Sequence, residues 1–350
     1  MKPFELTSLL RPSIKALQPY SSARQEFIRG DKEMILLDAN ENPFPSEVNR
    51  YPDPMQWELK KTLAKWKKCQ VEQLFLSNGS DEVIAHLITA VCEPGHDHIV
   101  LVPPTFGMYA VAANILGVKQ INVPLTPNFE LDVNGILSKV NAQSKLLFIP
   151  TPNNPTGNSF STQAIIQLLE EFPGIVCVDE AYVEFAKAKS FVSKINDYPN
   201  LVVIQTFSKA QGMAGIRLGM TFAQPDLISI LNKIKAPYNL NFLTQKAALD
   251  QLQQQSRIAE QVQLLLAERN RLIQAIGSLD FVACVFPSDA NFFLIRVDDS
   301  HKRYAQLLAQ GIVVRHTAKQ LWCENTLRIT VGTPEENEML WTALKKMDEL

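Results

Sequence analysis

Between residues 74 and 224 the chain alternates short apolar runs with longer amphipathic stretches. Runs such as IVCV (175–178) contain no alternating polar positions, which is typical of strands buried on both faces of a parallel sheet. The stretches between them, for example SDEVIAHLITAVC, have the periodicity of amphipathic helices. This alternation predicts an open, doubly wound α/β sheet, in which right-handed crossovers bring all the strand C-termini to one ligand-binding edge. The predicted strands are LFLS (74–77), HIVLV (98–102), INV (121–123), KLLFIP (145–150), IVCV (175–178), LVVIQTF (201–207) and RLGMTFA (217–223).

Beyond residue 224 the pattern becomes that of a second, smaller unit. It starts as helix, with a break at Pro237 and one long amphipathic run from 241 to 276, in which QQQ (253–255) is expected to be polar helix surface. The rest predicts a smaller α+β domain with strands at 281–286, 291–297, 311–315 and 326–331, a helix near 300–309 and a closing helix from Pro334. We therefore predict three parts: an N-terminal arm (1–30), a large domain (31–245) and a small C-terminal domain (246–350).

Composition narrows the possible functions. The formal net charge of −2 predicts no nucleic-acid or anionic-membrane partner. The five cysteines are widely spaced without a C-x-x-C pair, which argues against a zinc site or a disulfide framework and favours a reducing cytoplasm. The five histidines lack the spacing of metal ligands, so no metal is expected. No apolar window approaches the length of a membrane span, and the N-terminus lacks the pattern of a signal peptide.

Four polar clusters lie at or just beyond the ends of predicted strands. In SNGSDE (77–82), the glycine and the following helix start offer free backbone N–H groups to a phosphate, unless Ser80 is simply a helix cap. TPNNPTG (151–157) is either an ordinary turn or a loop that brings Asn154 to a ligand. In VDEAYVEF (178–185), Asp179 ends an apolar strand, where a carboxylate must be paired. Its partner is either a structural ion-pair or helix-cap group, or a protonated ring nitrogen.

The fourth cluster, TFSKAQGMAGIRLG (206–219), contains Lys209 among small and apolar residues. A lone lysine is usually solvated surface, but desolvation here favours the neutral amine that imine formation requires. Arg217 in the following strand suggests an anion between the two cations. Together the clusters supply what pyridoxal 5′-phosphate (PLP) needs: a lysine, an acid for the ring nitrogen, donors to O3′, a phosphate cup and a stacking ring. These roles fit Lys209, Asp179, Asn154 with Tyr182, the 79–81 turn with Ser208 and Arg217, and Phe106.

The order of N-P-T-G, D-E-A-Y and S-K, followed by an arginine eight residues on, resembles the fold-type I PLP-dependent aminotransferases over nearly the whole chain. This resemblance implies a large domain with a mostly parallel seven-stranded sheet and a smaller α+β domain. It also implies a Schiff-base lysine at Lys209, a ring-nitrogen aspartate at Asp179, and O3′ ligands at Asn154 and Tyr182. The implied phosphate ligands are Ser80, Asp81, Thr206, Ser208 and Arg217, and the implied stacking residue is Phe106. The chain departs mildly from the family pattern at Gln211 and Met213, where apolar residues are usual.

Other segments are similar to the histidinol-phosphate aminotransferase family: QPYSSARQE (18–26), LDANENPFP (37–45) and RYPDP (50–54). That similarity implies conversion of L-histidinol phosphate and 2-oxoglutarate to imidazole acetol phosphate and L-glutamate, a step of histidine biosynthesis. It implies a homodimer in which Tyr51 reaches the neighbouring active site, with Tyr20 lining the substrate pocket. GIVVRHT and LRITVGT imply two arginines for substrate anions, Arg315 and Arg328.

The cofactor motifs alone leave other functions open. An aromatic amino-acid aminotransferase and a PLP-dependent threonine-phosphate decarboxylase would have the same set of cofactor-binding residues. A PLP-fold sensor module is disfavoured because the chain shows no DNA-binding extension. A nicotinamide dehydrogenase is disfavoured because no G-x-G-x-x-G follows a predicted strand.

Overall fold

The computed structural model describes residues 4–20 and 34–349. The larger of its two sheets has seven strands: β1 (Leu74–Asn78), β2 (His98–Leu101), β3 (Lys119–Asn122), β4 (Ser144–Pro150), β5 (Ile175–Asp179), β6 (Leu201–Thr206) and β7 (Leu218–Phe222). Their order across the sheet is β1-β7-β6-β5-β4-β2-β3. Each strand coincides with one of the apolar runs, so the prediction of a mostly parallel seven-stranded sheet is confirmed.

Strand β7 runs antiparallel to both of its neighbours, whereas β2 to β6 pair in parallel. The prediction that all strand C-termini share one edge is therefore wrong for β7. The reason lies in the short connection over residues 207–217, which contains only a 3₁₀ turn (Ala214–Ile216) and no crossover helix. As a result the start of β7, with Arg217 just before it, lies at the edge where β1 and β6 end.

Helices cover both faces of the large sheet. They are α1 (Leu6–Leu9), α2 (Pro12–Ala16), α3 (Trp57–Lys67), α4 (Ser80–Val91), α5 (Met108–Ile115), α6 (Val133–Lys139), α7 (Thr162–Glu171), α8 (Pro225–Ile234) and α9 (Phe242–Leu252). Consecutive residues of β4 show the two layers: Leu147 packs in one apolar core with α3 and α7, and Phe148 in the other with α4 and α5. Such two-sided burial explains why these strands lack polar alternation.

The smaller sheet is antiparallel, with the order β10-β11-β9-β8. Its strands are β8 (Val282–Val285), β9 (Phe292–Val297), β10 (Arg315–His316) and β11 (Thr326–Thr330), and its helices are α10 (Gln255–Ile276), α11 (Ser300–Ala309) and α12 (Pro334–Asp348). The predicted strand over 311–315 is thus reduced to a two-residue bridge. The predicted boundaries at 30/31 and 245/246 stay predictions; the first lies outside the described residues and the second falls inside α9.

The predicted continuous helix over 241–276 is wrong, because residues 253 and 254 form a turn between α9 and α10. Helix α9 packs on α3 of the large domain, whereas α10 packs on the small sheet, and one straight helix cannot reach both. The break also lets Gln255 donate a hydrogen bond to the side chain of buried Gln211 (3.2 Å). A polar residue at the usually apolar position 211 therefore has its partner in the polar QQQ segment.

Three further observations concern the N-terminal segment, membrane-spanning helices and metal sites. The N-terminal segment packs on the large domain of its own chain, where Leu9 and Leu10 join the core beside α4. None of the helices in residues 4–20 and 34–349 has the length and apolar character of a membrane span. The same described part of the chain contains no group of three or more side chains arranged to hold a metal ion.

Candidate active site

A cavity opens at the sheet edge where β4, β5 and β6 end and β7 and α4 begin. All ten residues predicted to bind the cofactor line it: Ser80, Asp81, Phe106, Asn154, Asp179, Tyr182, Thr206, Ser208, Lys209 and Arg217. These residues are far apart in sequence but meet in space, because the carboxyl ends of neighbouring parallel strands lie side by side. Tyr109, Pro150, Pro152, Ala181 and Ala214 complete the wall.

Asp179 is the last residue of β5 and is almost fully buried (4% exposed). Its Oδ2 accepts a hydrogen bond from the Tyr109 hydroxyl (2.7 Å) and its Oδ1 accepts one from the backbone N–H of Ala181 (3.1 Å). Burial raises the pKa of Asp179 above its ordinary value, while these two hydrogen bonds and the charge of Lys209 act in the opposite direction. The effect of burial is the larger one, so the carboxylate form is stabilised if a cation in the cavity faces it.

Lys209 follows β6 and reaches the same cavity, where it keeps access to solvent. Desolvation lowers the pKa of its amine below the ordinary value, and the nearby charge of Arg328 lowers it further. The amine lies 5.5 Å from the centroid of the Tyr182 ring. A lysine with a lowered pKa holds more of the neutral, nucleophilic form near neutral pH.

Tyr182 and Asn154 form the side of the cavity next to the small sheet. Burial raises the pKa of the Tyr182 hydroxyl to about 12, against the opposing effects of Arg328 and of a hydrogen bond with Asn154. The Tyr182 ring meets the edge of Phe292 in β9, at a centroid distance of 5.1 Å. The phenol therefore stays protonated over the physiological range and is held in place by packing between the two sheets.

The start of α4 forms a cup for an anion. Its first turn carries Ser80 and Asp81, and the first N–H groups of a helix have no partner within the helix. Arg217 lies beside them, with Nη2 3.3 Å from Asp81 Oδ2. Gly79 precedes the helix with φ +77° and ψ +169°, a backbone conformation that is essentially restricted to glycine. Ser208 and Thr206 complete the cup, with the Ser208 N–H donating to Thr206 Oγ1 (3.1 Å).

Neither of the two arginines predicted to bind substrate anions is among the residues that line the cavity, but Arg328 contacts Asn154, which does line it. Arg328 in β11 and Arg315 in β10 are directly opposite each other in the antiparallel register. Arg328 donates a hydrogen bond from Nη1 to Asn154 Oδ1, while its Nε is buried without a partner among the described residues. Desolvation lowers the pKa of Arg328, and the charge of Arg315 adds to that effect. Two adjacent cations with spare donors are suited to bind an anionic ligand.

The two tyrosines predicted to contact substrate do not lie in this cavity. Tyr20 is 75% exposed, and the motif that contains it continues into residues 21–26, which lie outside the described residues. Tyr51 stacks on Tyr238 with ring centroids 4.4 Å apart and lines a separate surface pocket. Its backbone N–H donates to Glu41 Oε1 (2.6 Å). Within one chain, Tyr51 is therefore held on the surface and away from Lys209.

Tyr109 is the residue of the site that the sequence-based prediction missed. It lies in the first turn of α5, and its hydroxyl is the donor to Asp179. The sequence does indicate that Tyr109 is buried, because it lies in the apolar helix MYAVAANI. A buried phenol requires a hydrogen-bond partner. The sequence could not identify that partner, since α5 and β5 are far apart along the chain.

The donors in this cavity fit PLP. Buried Asp179 suits a protonated ring nitrogen, Asn154 and Tyr182 suit the ring oxygen, and the α4 cup with Arg217 suits the phosphate. Phe106 provides an aromatic wall next to Tyr109, with which it makes an edge contact at 5.5 Å. Lys209 lines the same cavity and supplies the amine that PLP needs.

Comparison with known proteins gives consistent results. The family model "Aminotransferase class I and II" matches residues 32–344. A relative described as histidinol-phosphate aminotransferase, from Flavobacterium psychrophilum, is 49% identical over 347 residues, covering 99% of this chain and all of the relative.

Solved structures agree with this relationship. The histidinol-phosphate aminotransferase from Clostridium acetobutylicum has a TM-score of 0.80 at 27% identity and covers 86% of this chain and 91% of its own. The histidinol-phosphate aminotransferase from Sinorhizobium meliloti, solved in complex with pyridoxal-5′-phosphate, has a TM-score of 0.78 at 23% identity and covers 86% and 83%. At that identity the second structure shows a shared fold.

Proposed function

Because the chain belongs to the class I and II aminotransferase family, we propose that it transfers the amino group of L-histidinol phosphate to 2-oxoglutarate with PLP as its cofactor. The products are imidazole acetol phosphate and L-glutamate, and the reaction is a step of histidine biosynthesis. The observation that carries the choice of substrate is the 49% identity, over 99% of the chain, to a histidinol-phosphate aminotransferase. The second support is the cavity in which the ten predicted cofactor residues meet.

When bound, PLP supplies an aldehyde that binds amines covalently and a ring that withdraws electrons from the bound carbon. In this proposal Asp179 stays ionised and holds the proton on the ring nitrogen. Asn154 and Tyr182 would donate hydrogen bonds to the ring oxygen, and Phe106 would supply the aromatic surface against the ring. The N–H groups of Ser80 and Asp81, the hydroxyls of Thr206 and Ser208, and Arg217 hold the phosphate.

Lys209 has two tasks in the proposed reaction. In the enzyme without substrate, its Nζ would bind the cofactor. When not bound to the cofactor, Nζ would act as the base that accepts the proton of the substrate α-carbon and then as the acid that gives it back. The lowered pKa of Lys209 favours the neutral form that the first of these proton transfers requires.

In this proposal, Arg328 and Arg315 let one pocket accept two substrates of different shape. Histidinol phosphate carries a phosphate ester, and glutamate carries carboxylates. A guanidinium binds either anion through two parallel N–H donors. The register of β10 with β11, in which Arg315 and Arg328 are directly opposite, supports this assignment.

We also propose a homodimer that works in the cytoplasm, with Tyr51 contributed to the partner's active site. The pocket that Tyr51 lines also has the exposed apolar side chains of Val48, Phe242 and Leu243. Apolar surface of this kind usually marks a protein–protein contact. The five cysteines are free thiols, which fits a reducing compartment.

A substrate panel tests the proposed reaction. The enzyme loaded with PLP is mixed with L-histidinol phosphate, an aromatic amino acid or threonine phosphate, and the loss of the PLP absorbance is followed in single turnovers. Histidinol phosphate is expected to react fastest and to leave the pyridoxamine form of the cofactor. Faster conversion of the aromatic amino acid, or release of CO₂ from threonine phosphate, would contradict the proposal.

A further inference from the structure

The hydroxyl of Tyr109 is held in a fixed position by the packing of its ring. The side chain is fully buried (0% exposed). One face stacks on Phe148 of β4 at a centroid distance of 4.6 Å and an interplanar angle of 10°. The edge contact with Phe106 holds it from the cavity side. A ring confined in this way has little freedom, so its hydroxyl is directed at one acceptor, Asp179 Oδ2 (2.7 Å).

The two oxygens of Asp179 have different donors that come from different elements. Oδ1 is held by the N–H of Ala181, two residues along the same chain segment. Oδ2 is held by Tyr109, which comes from α5. With one donor on each oxygen, the carboxylate cannot rotate without losing a hydrogen bond inside the protein, where such a loss is costly. Each oxygen still has a lone pair for a group in the cavity.

We propose that Tyr109 is a positioning residue that orients the Asp179 carboxylate towards the cofactor ring nitrogen and keeps it ionised. This inference rests on the proposed function, in which Asp179 pairs with that nitrogen. Tyr109 acts only through Asp179 and takes no part in proton transfer, because burial and the neighbouring carboxylate raise the pKa of its hydroxyl well above the ordinary value. It therefore remains a donor at every working pH.

The other ionisable groups around Asp179 make this donor important. Asp81 at the start of α4 and the desolvation of the site both favour the protonated acid, whereas Lys209 favours the carboxylate. Cys177, on the same strand, remains a neutral thiol because burial raises its pKa. Apart from Lys209 and the proposed ring-nitrogen cation, the hydrogen bonds from Tyr109 and Ala181 are what opposes burial at Asp179.

The test is Tyr109→Phe, which removes the hydroxyl and keeps the ring, with Tyr198→Phe as a matched control outside the cavity. Binding of PLP to the apo-protein is measured by fluorescence quenching, and thermal unfolding of both apo-proteins is measured alongside. A hydrogen bond to a charged group contributes about 1.5–3 kcal/mol, so Y109F is expected to weaken PLP binding by about tenfold or more. The acid limb of the kcat/KM profile is expected to move to higher pH, and Y198F should match the wild type.

Two outcomes overturn the inference, and a second pair of variants separates it from the proposed function. If Y109F lowers the unfolding temperature but leaves PLP affinity and the pH profile unchanged, Tyr109 is only a packing residue. In an Asp179→Asn background, Tyr109→Phe should cause no further loss of PLP affinity, and an undiminished additional loss would also contradict the inference. If D179N alone binds PLP and turns over like the wild type, the proposed function itself fails.

Discussion

Arg328, in the small sheet, donates a hydrogen bond to the side chain of Asn154, in the loop that follows β4 of the large sheet. This contact joins a residue proposed to bind substrate to a residue proposed to bind the cofactor ring oxygen. A substrate anion bound by Arg328 would therefore lie next to the proposed cofactor site. Arg315 is opposite Arg328 in the register but is exposed, so its charge is more strongly screened by solvent.

Arg328→Ala is expected to raise the KM for histidinol phosphate and for glutamate by about 10- to 100-fold, because a desolvated charge-assisted pair contributes about 1.5–3 kcal/mol. Arg315→Ala is the matched variant and is expected to have a smaller effect. Steady-state kinetics with each substrate gives both values. Unchanged KM values for both substrates in R328A would show that the anion binds elsewhere.

Asp179→Ala is expected to reduce kcat/KM by about 10³-fold, since it removes a preorganised charge that acts when negative charge develops on the ring. Asp179→Asn keeps the shape but loses the charge, and it should show most of the same defect. The stability of the apo-protein is measured as a control. Loss of a buried carboxylate whose pKa is raised is not expected to unfold the chain. Full activity in D179N would contradict the assignment.

The buried carboxylate of Glu180 predicts a pH-dependent stability. Burial raises its pKa from 4.5 to about 7, although it accepts hydrogen bonds from Ser190 Oγ (2.5 Å), the Phe191 N–H (2.6 Å) and Gln205 Nε2 (2.8 Å). Between these pH values the folded state keeps a proton that the unfolded state has released. The stabilisation is therefore complete below about pH 4.5 and decreases as the pH rises through 7.

Glu180→Gln removes this titration and serves as the reference. From pH 5 to pH 8, the free energy of unfolding of the wild type should fall by up to ~3 kcal/mol more than that of E180Q. Urea unfolding of both apo-proteins at the two pH values measures the difference. A difference that stays constant with pH, or that changes in favour of the wild type, would show that Glu180 is already ionised at pH 5.

The proposed contribution of Tyr51 to the neighbouring site predicts complementation between two impaired variants. A mixed dimer of Lys209→Ala and Tyr51→Ala chains has one site that combines an intact Lys209 with the partner's intact Tyr51. Dimers that have exchanged subunits at random should recover about a quarter of wild-type activity, because about half of them are mixed and each mixed dimer has one good site. Self-mixed controls of each variant should recover none.

Failure of the mixture to regain activity after demonstrated subunit exchange would place Tyr51 outside the neighbouring site. Native mass spectrometry before and after mixing confirms that exchange took place, because the two variant chains differ in mass. The same measurement tests the homodimer directly, since a monomer at working concentration cannot share a site.

The fold was predictable where burial alone decides structure. Residues such as Leu147 and Phe148 lie in uninterrupted apolar runs because both faces of β4 are covered, and such runs are visible without knowledge of any partner. The direction of β7 was not predictable in this way. It depends on how residues 207–217 return to the sheet, and both directions bury the same apolar side chains.

The site was predictable where a short sequence motif identifies the reactive residue, as at Lys209 and Asp179. It was not predictable where a residue acts through a distant contact, as Tyr109 does on Asp179. The turn between α9 and α10 was missed for a similar reason, since Gln255 has periodicity compatible with helix and its partner Gln211 is distant in sequence. Local patterns specify elements and reactive groups, whereas tertiary packing decides which of them meet.

The most direct test of the account is to locate the covalent bond to the cofactor. The enzyme is loaded with PLP, reduced with borohydride, digested and analysed by mass spectrometry, with Lys209→Ala treated in parallel. We predict that the reduced cofactor is found on the peptide that contains Lys209, and that the variant carries none and does not transaminate histidinol phosphate. Cofactor on another lysine, or normal transamination by K209A, would contradict the account.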